Sequence, residues 1–502
     1  MRQPKQTDIS LLLGRWDGEG GFASSRVADA GELNVSVRGF GKLRWPVSEV
    51  DARKLCKLAQ PARHGYKTET RLDKGIRDTW EVGPDHLDIG PMAWPKTLER
   101  HLDRIRRDLG LPRTCRLKAD LHNLLIYTPG QFFAPHQDSV KSKRMIGTLV
   151  VVLPSRFTGG ELIVEHRGES LRASGSAHEL TLIAFYADCR HEVKPVHRGH
   201  RLALTYNLLA EGDTTAGDVD AERLDALTEA VRGHFAQPRR RVDASTREAQ
   251  PREAPEKLVY LLDHEYTGRD LSWKRLKNGD SRRAAALRLV AQTLDCEVYL
   301  ALAEVHETWS CEEEEDRGYG GYREYEDEDG DEGEEGPKGA GGPDLNLIEL
   351  IDDHVELTNW IDAEGRKAEG SGIVQSEEMF CTTPSSDFKP FRSEHEGYMG
   401  NYGNTADRWY HRAALVMWPK ALAFGIRAKH SPRWAIRQVT VAPESGVTGK
   451  ARDLVSQLLL VWNDATRKDR TPDLLGMTLT ATARFGSPEV ALAFLVPFPL
   501  SI

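Results

Sequence analysis

Tyr127-Thr128-Pro129-Gly130-Gln131-Phe132-Phe133-Ala134-Pro135-His136-Gln137-Asp138 is the stretch that decides how this chain reads. Leu124–Tyr127 is a short apolar run, Thr128-Pro129-Gly130 is a turn, and the chain beyond it is extended again until it reaches a His-x-Asp pair. On a strand, residues i and i+2 project to the same face, so His136 and Asp138 can grip one ion. Two other His-x-Asp pairs, His86/Asp88 and His101/Asp103, show that the pair alone says little. Leu98, Leu102, Ile105 and Leu109, between Pro95 and Gly110, have helical spacing. On a helix, i and i+2 diverge by about 200°, so His101 and Asp103 cannot chelate together. His86/Asp88 has no supporting pattern around it.

Working outward, Met145–Leu153 is a continuous apolar run, Gly159-Gly160 a turn, and Glu161–Glu165, Glu179–Tyr186 and Arg201–Leu209 are further short strands. Several strands with Gly/Pro turns and no helix between them predict a sandwich, jelly roll or barrel. A third ligand then has to come from a distant strand. The segment Ala184–Pro195 supplies His191, with Arg201 ten residues further on; His197 and His200 are the rivals. Glu192 alternates with His191 and points the other way, and Phe133 reads as packing. Two imidazoles and one carboxylate leave coordination positions open, which suits a non-haem Fe(II) oxygenase. Zinc would accept the same donors and would mean hydrolysis. Arg201 argues against zinc, because a buried guanidinium needs an anionic partner and a dicarboxylate co-substrate supplies one bidentately.

Together, Tyr-x-x-Gly-x-x-aromatic-x-x-His-x-Asp, His-Glu-Val-x-Pro and an arginine ten residues past that histidine resemble the prolyl 4-hydroxylase-type Fe(II)/2-oxoglutarate-dependent dioxygenases. The resemblance runs from about Leu121 to Leu209. It implies a double-stranded β-helix, with Fe(II) on His136, Asp138 and His191. It implies 2-oxoglutarate on Arg201 with Tyr127 beside it and Thr205 assisting, and ascorbate as an optional auxiliary. Val152 stands where a second pocket tyrosine is common in the family. The implied reaction hydroxylates a C–H bond and releases succinate and carbon dioxide, with no protein general base. A protein or peptide side chain, proline first, is the expected substrate. A small molecule or nucleobase is the alternative within this chemistry, and a non-catalytic jelly-roll binding module the alternative outside it. Tyr260–Tyr266 and Gly397–Asn404 also look like stretches of relatives of unknown substrate.

The remaining expectations concern the whole chain. Its 502 residues suffice for two to four domains, and 39% hydrophobic residues for a sizeable core. The expected class is α+β: a support region at 1–115, the oxygenase core at 116–210, and a helical region at 211–310. An acidic disordered linker at 311–343 and an α+β domain at 344–502 complete the division. Ser281–Val305 reads as buried helix. Glu312–Glu335 holds fourteen acidic and two basic residues, more than accounting for the net charge of −9. The remainder is only slightly basic, which is no nucleic-acid footprint. Six scattered cysteines read as reduced thiols. Leu11–Leu13 is too short for a signal-peptide core, so the expectation is a soluble cytoplasmic protein with no membrane partner. Oligomeric state is not legible.

Overall fold

The computed structural model describes residues 8–16, 20–66, 69–90, 93–139, 141–142, 144–212, 220–236, 240–242, 249–251, 255–313, 345–370, 372–396, 404–441, 450–467, 469–482 and 487–498. Two antiparallel sheets build the first lobe. The larger has the order Ala23–Asp29, Glu179–Tyr186, Met145–Val152, Arg201–Glu211, Arg116–Tyr127, Trp80–Val82, Gln60–Pro61. The smaller runs Glu169–Ala173, Leu162–His166, Arg190–Val193, Phe132–His136, Arg77–Asp78. Leu149, Val151, Leu182 and Leu204 of the first share one core with Leu162, Val164 and Val193 of the second. This is the jelly-roll arrangement, and the non-consecutive strand neighbours are its signature. Every residue of Met145–Val152 is buried, as expected for a central strand covered on both faces.

The helix Trp94–Asp108 backs the larger sheet and buries Leu98, Leu102 and Ile105 on one side. It stops where Gly110 takes φ +69 and its N–H returns to the Arg107 carbonyl. Only glycine fits there: a Cβ would lie 2.5 Å from Asn278 Oδ1. His101 and Asp103 therefore sit on a helix. His86 closes a short 3-10 turn and Asp88 lies in a three-residue strand, both exposed.

The second lobe is a mixed sheet in the order Gly372–Val374, Leu345–Ile361, Cys296–Glu313, Thr405–Pro419, Leu258–Leu261, Met379–Cys381, with Arg392–Glu396 also paired to Thr405–Pro419. The helices Ala221–Ala236 and Asn278–Thr293 cover one face through Leu227, Val231, Leu287 and Val290. Ala423 and Ile426 begin the cover of the other. Five helices from Ala423–His430 to Pro488–Leu495 then pack around Trp462 and Phe494.

Two expectations need correction here. Ser281–Val305 is helical only to Thr293; Asp295 adopts φ +51, and Cys296–Glu313 is a long strand. Left-handed backbone at an aspartate ends a helix, and the alternating Val298, Leu300, Leu302 pattern that follows suits a sheet as well as a helix. The acidic run also does not divide two domains. Cys311–Glu313 belongs to that strand, and Glu313 stands opposite Leu345 in an antiparallel pair. The run connects neighbouring strands of one sheet, and that sheet takes strands from both 211–310 and 344–502. Residues 314–344 and most of Gly397–Asn404 lie outside the described residues. Among the described residues, no helix is long and apolar enough to cross a membrane.

Candidate metal centre

His136 ends the strand Phe132–His136 and stands in register with His191 on the neighbouring strand Arg190–Val193. Asp138 lies just beyond, its N–H donating to the Ala187 carbonyl at 3.2 Å. Strand pairing thus joins residues that are 55 positions apart in the chain. The donor atoms of His136, Asp138 and His191 all lie within 4.8 Å of one another. His191 Nε2 is 3.7 Å from Asp138 Oδ2, and His136 Nε2 is 3.9 Å from Oδ1.

The hydrogen bonds behind these atoms test whether a metal fits. His136 Nδ1 meets the Ala134 carbonyl at 2.9 Å, and His191 Nδ1 meets the Cys189 carbonyl at 3.1 Å. Carbonyls only accept, so both Nδ1 atoms carry the hydrogen and both Nε2 lone pairs are left to converge. Burial, reinforced by the neighbouring His191, pushes the His136 imidazole down to about 3. Burial works to raise the Asp138 carboxyl, but both imidazoles and the Thr148 hydroxyl, donating at 2.5 Å, hold it below the usual carboxylate range. A neutral imidazole beside an ionised carboxylate is the state a divalent cation needs. The residues fit the metal.

Arg201 and Tyr127 face each other across the Arg201–Glu211 and Arg116–Tyr127 strands, with the guanidinium 5.3 Å from the phenol ring centre. Both are about 1% exposed. Arg201 Nε and Nη2 have no hydrogen-bond partner among the described residues. A buried guanidinium left with open N–H donors is costly unless an anion meets it. Gly160 makes room for it, since a Cβ there would lie 3.0 Å from Arg201 Cδ. Arg201, Tyr127 and the three metal-centre residues line one cavity of about 1160 Å³.

Thr205 lines the same cavity, but four residues along the strand, roughly 13 Å from Arg201 at ~3.3 Å per residue. Its hydroxyl donates to Asn123 Oδ1 at 2.5 Å, and Asn123 in turn donates to Glu81. Its hydroxyl proton is thus engaged by Asn123 in this structure. Val152 is buried in the core, and Val150 reaches the cavity instead. His197 is exposed, and His200 is buried away from the cluster. Glu192 turns to Lys194 at 2.9 Å. Phe133 stacks on the His136 ring at 3.5 Å and so fixes its plane.

Sequence reasoning missed the second lobe's share of this site. Glu265, Asp270, Lys277 and His411 also line the cavity. His166, Asp188 and His264 form a second compact group of metal-ligating types, yet they do not fit an ion. Asp188 Oδ1 takes the Lys277 ammonium at 2.9 Å, and Oδ2 accepts from His264 Nδ1 and the Glu265 N–H. Both carboxylate oxygens are committed, and a cation would have to displace an ammonium. The His264-Glu265 stretch was conspicuous in the sequence; its destination was not, because Asp188 lies 76 residues away.

Comparison with known proteins gives one family match: residues 122–209 fit the model of the 2OG-Fe(II) oxygenase superfamily. No curated protein matches the chain. Solved structures with partial likeness include a Pseudomonas putida prolyl-4-hydroxylase, 20% identical over 40% of this chain and 98% of that one, with a TM-score of 0.25. A Burkholderia pseudomallei 2OG-Fe(II) oxygenase family oxidoreductase is 17% identical over 42% and 93%, TM-score 0.22. A Trichoplax adhaerens prolyl hydroxylase, in complex with a hypoxia inducible factor oxygen degradation domain peptide fragment, is 13% identical over 36% and 84%, TM-score 0.23.

Proposed function

We propose that this chain, whose residues 122–209 match the 2OG-Fe(II) oxygenase superfamily, is a dioxygenase that uses Fe(II) and 2-oxoglutarate to hydroxylate a C–H bond of a protein side chain, proline first. The observation that carries the co-substrate assignment is the unpaired, buried Arg201 guanidinium in the same cavity as the His136, Asp138 and His191 donors. Support for a peptide substrate comes from the Tyr127–Asp138 and His191–Pro195 motifs and from the cavity's size. At about 1160 Å³ it exceeds the roughly 300–1,000 Å³ of ordinary small-molecule pockets, leaving space beyond a five-carbon diacid.

In this reading Fe(II) is held by His136, Asp138 and His191, and with 2-oxoglutarate it supplies the oxidative decarboxylation that drives C–H hydroxylation. The chain's own residues position and shield. The Ala134 and Cys189 carbonyls fix the tautomer of each imidazole, and Thr148 holds one Asp138 oxygen. Arg201, backed by Tyr127, takes the distal carboxylate of 2-oxoglutarate through its open N–H pair. Leu125, Val150, Leu162 and Val193 make the surrounding wall apolar and exclude water. Thr205 and Asn123 form a polar strip further along the cavity.

The test is to incubate the full chain with Fe(II), 2-oxoglutarate and proline-containing peptides. Succinate and the gain of one oxygen atom on the peptide are then measured. Succinate with oxygen on proline is the expected result. No succinate above a metal-free control would sink the oxygenase reading; oxygen found only on a small molecule or nucleobase would sink the peptide reading.

A further inference from the structure

The cavity has a second-lobe wall, and one carboxylate on it is only loosely held. Glu265 lies half-buried on the loop that follows the strand Leu258–Leu261. Its carboxylate has one side-chain partner among the described residues, the Gln137 amide, at a long 3.4 Å. Gln137 is the residue between His136 and Asp138, and its amide also donates to the Asp188 carbonyl at 2.8 Å. Glu265 is therefore tethered beside the metal-centre strand and opens into the cavity.

Of the cavity's other carboxylates, Asp138, Asp188 and Asp270 are committed, and Glu81, on the first-lobe sheet, has a single amide partner at 3.2 Å. Asp138 belongs to the metal-ligand cluster and accepts from Thr148, and Asp188 is held by Lys277 and His264. Asp270 accepts from the Thr267 N–H and hydroxyl, and Glu81 from Asn123. Lys277 lies close in the chain's path, but its ammonium goes to Asp188 Oδ1 and to the Glu265 backbone carbonyl, not to the Glu265 side chain. Burial, and then the charge of Asp188, push the Glu265 carboxyl up to about 7. A carboxyl so placed takes up a proton near neutral pH rather than stand as a bare anion, and a cationic ligand beside it would favour the ionised form instead.

We propose that Glu265 is the specificity-determining residue of this oxygenase, binding a lysine or arginine side chain of the substrate within the cavity that holds the metal centre. The inference rests on the oxygenase reading above and adds the charge of the substrate to it. The same chemistry could come from a free amine, so source and charge are tested separately. Arg77 and Lys141 also line the cavity, but Arg77 covers the Phe133 ring and Lys141 meets His122 at 2.6 Å. An acidic probe tests whether those cations dominate instead.

The experiment measures binding by calorimetry to the full chain loaded with Fe(II) and 2-oxoglutarate under nitrogen. The probes are short Ala/Gly/Pro peptides carrying one central lysine, norleucine or glutamate, and free L-lysine amide. The wild type should bind the lysine peptide about tenfold or more tightly than the norleucine peptide, the worth of one charge-assisted bond. Glu265→Gln should abolish that preference, and Glu265→Lys should transfer it to the glutamate peptide. L-lysine amide binding as tightly as the lysine peptide, with the same dependence on Glu265, upholds the cation subsite and assigns it to a free amine. Three outcomes overturn the inference: no lysine preference in the wild type, a preference kept in Glu265→Gln, or a wild-type preference for glutamate. The first and third need no variant to fold. Peptide-independent succinate formation by the wild type, measured alongside, reports on the oxygenase reading by itself.

Discussion

Lys277, at the start of the helix Asn278–Thr293, places its ammonium 2.9 Å from Asp188 Oδ1, joining the second lobe to the loop that leads into the His191 strand. Both side chains are about 5% exposed or less. Lys277 also donates to the Glu265 carbonyl, and Asp188 accepts the Glu265 N–H. The pair fixes the wall of the cavity against its metal-centre strand.

Removing one member leaves the other charge buried and unmatched, which costs about 3–5 kcal/mol. Asp188→Asn should lower the urea midpoint accordingly. Asp188→Asn with Lys277→Met should lose less than the sum of the two single losses. Additive losses in that cycle would show that the pair is not coupled.

The same pair sets a pH dependence. Burial works to raise the Asp188 carboxyl, but Lys277 and His264 hold it well below the usual range. A carboxyl depressed in the folded state adds stability above its unfolded value, near 3.9, and loses it as pH falls toward the folded value. The stability gap between wild type and Asp188→Asn should therefore be full at pH 6 and narrow below about pH 4. Denaturation curves at pH 6, 4 and 3 check this, and a gap that widens in acid would contradict it.

His136→Ala and Asp138→Ala should each abolish tight iron binding and 2-oxoglutarate turnover while leaving the fold intact, because both side chains face the cavity and not the core. Asp88→Ala, in the exposed His86/Asp88 pair, is the matched control and should keep both. Bound iron and succinate are measured together. Normal turnover by either cluster variant would falsify the ligand assignment.

Arg201→Lys should raise the 2-oxoglutarate KM about ten- to hundredfold. An ammonium cannot reproduce two parallel N–H bonds, and losing one charge-assisted bond costs about 1.5–3 kcal/mol. Iron should remain bound, since Arg201 touches none of the three donors. A titration of succinate formation with iron measured in parallel separates the two; an unchanged KM in Arg201→Ala would move the co-substrate elsewhere.

Replacing Glu314–Glu335 with a neutral Gly/Ser segment of equal length should leave peptide-independent 2-oxoglutarate turnover unchanged. Its flanks, Cys296–Glu313 and Leu345–Ile361, pair with each other without it. A large fall in that basal rate, at an unchanged melting temperature, would tie the acidic run to the active site.

The metal-centre cluster was legible because its information is local. His136 and Asp138 have strand spacing, and His191 is selected by the arginine ten residues beyond it. The jelly roll was legible through its turns and its largely apolar Met145–Val152 strand. The long strand Cys296–Glu313 was not, because Ala, Leu and Val alternate there within a composition a helix also tolerates, and the break is one left-handed aspartate. Thr205 came only from the family resemblance, which says nothing of the Asn123 bond that engages its hydroxyl. The meeting of Glu265, Asp188 and Lys277 was invisible because it happens only when two lobes pack.

The helix Asp8–Gly14 lies near the chain's start yet buries Ile9 and Leu13 against Leu227 and Val231 of the second lobe. The oxygenase unit is therefore a guest, spliced into a host that begins before it and resumes after it. Its entrance and exit are both fastened at one place: Asn278 holds the Gly20 carbonyl at 2.8 Å, and Arg275 holds the Ala210 carbonyl at 2.5 Å. A clone cut to residues 116–210 would lose Ala23–Asp29 from the edge of the larger sheet, together with both fastenings. Trimming this protein to its catalytic motif would strip three of the larger sheet's seven strands and one of the smaller sheet's five, so the host is part of what keeps the guest closed.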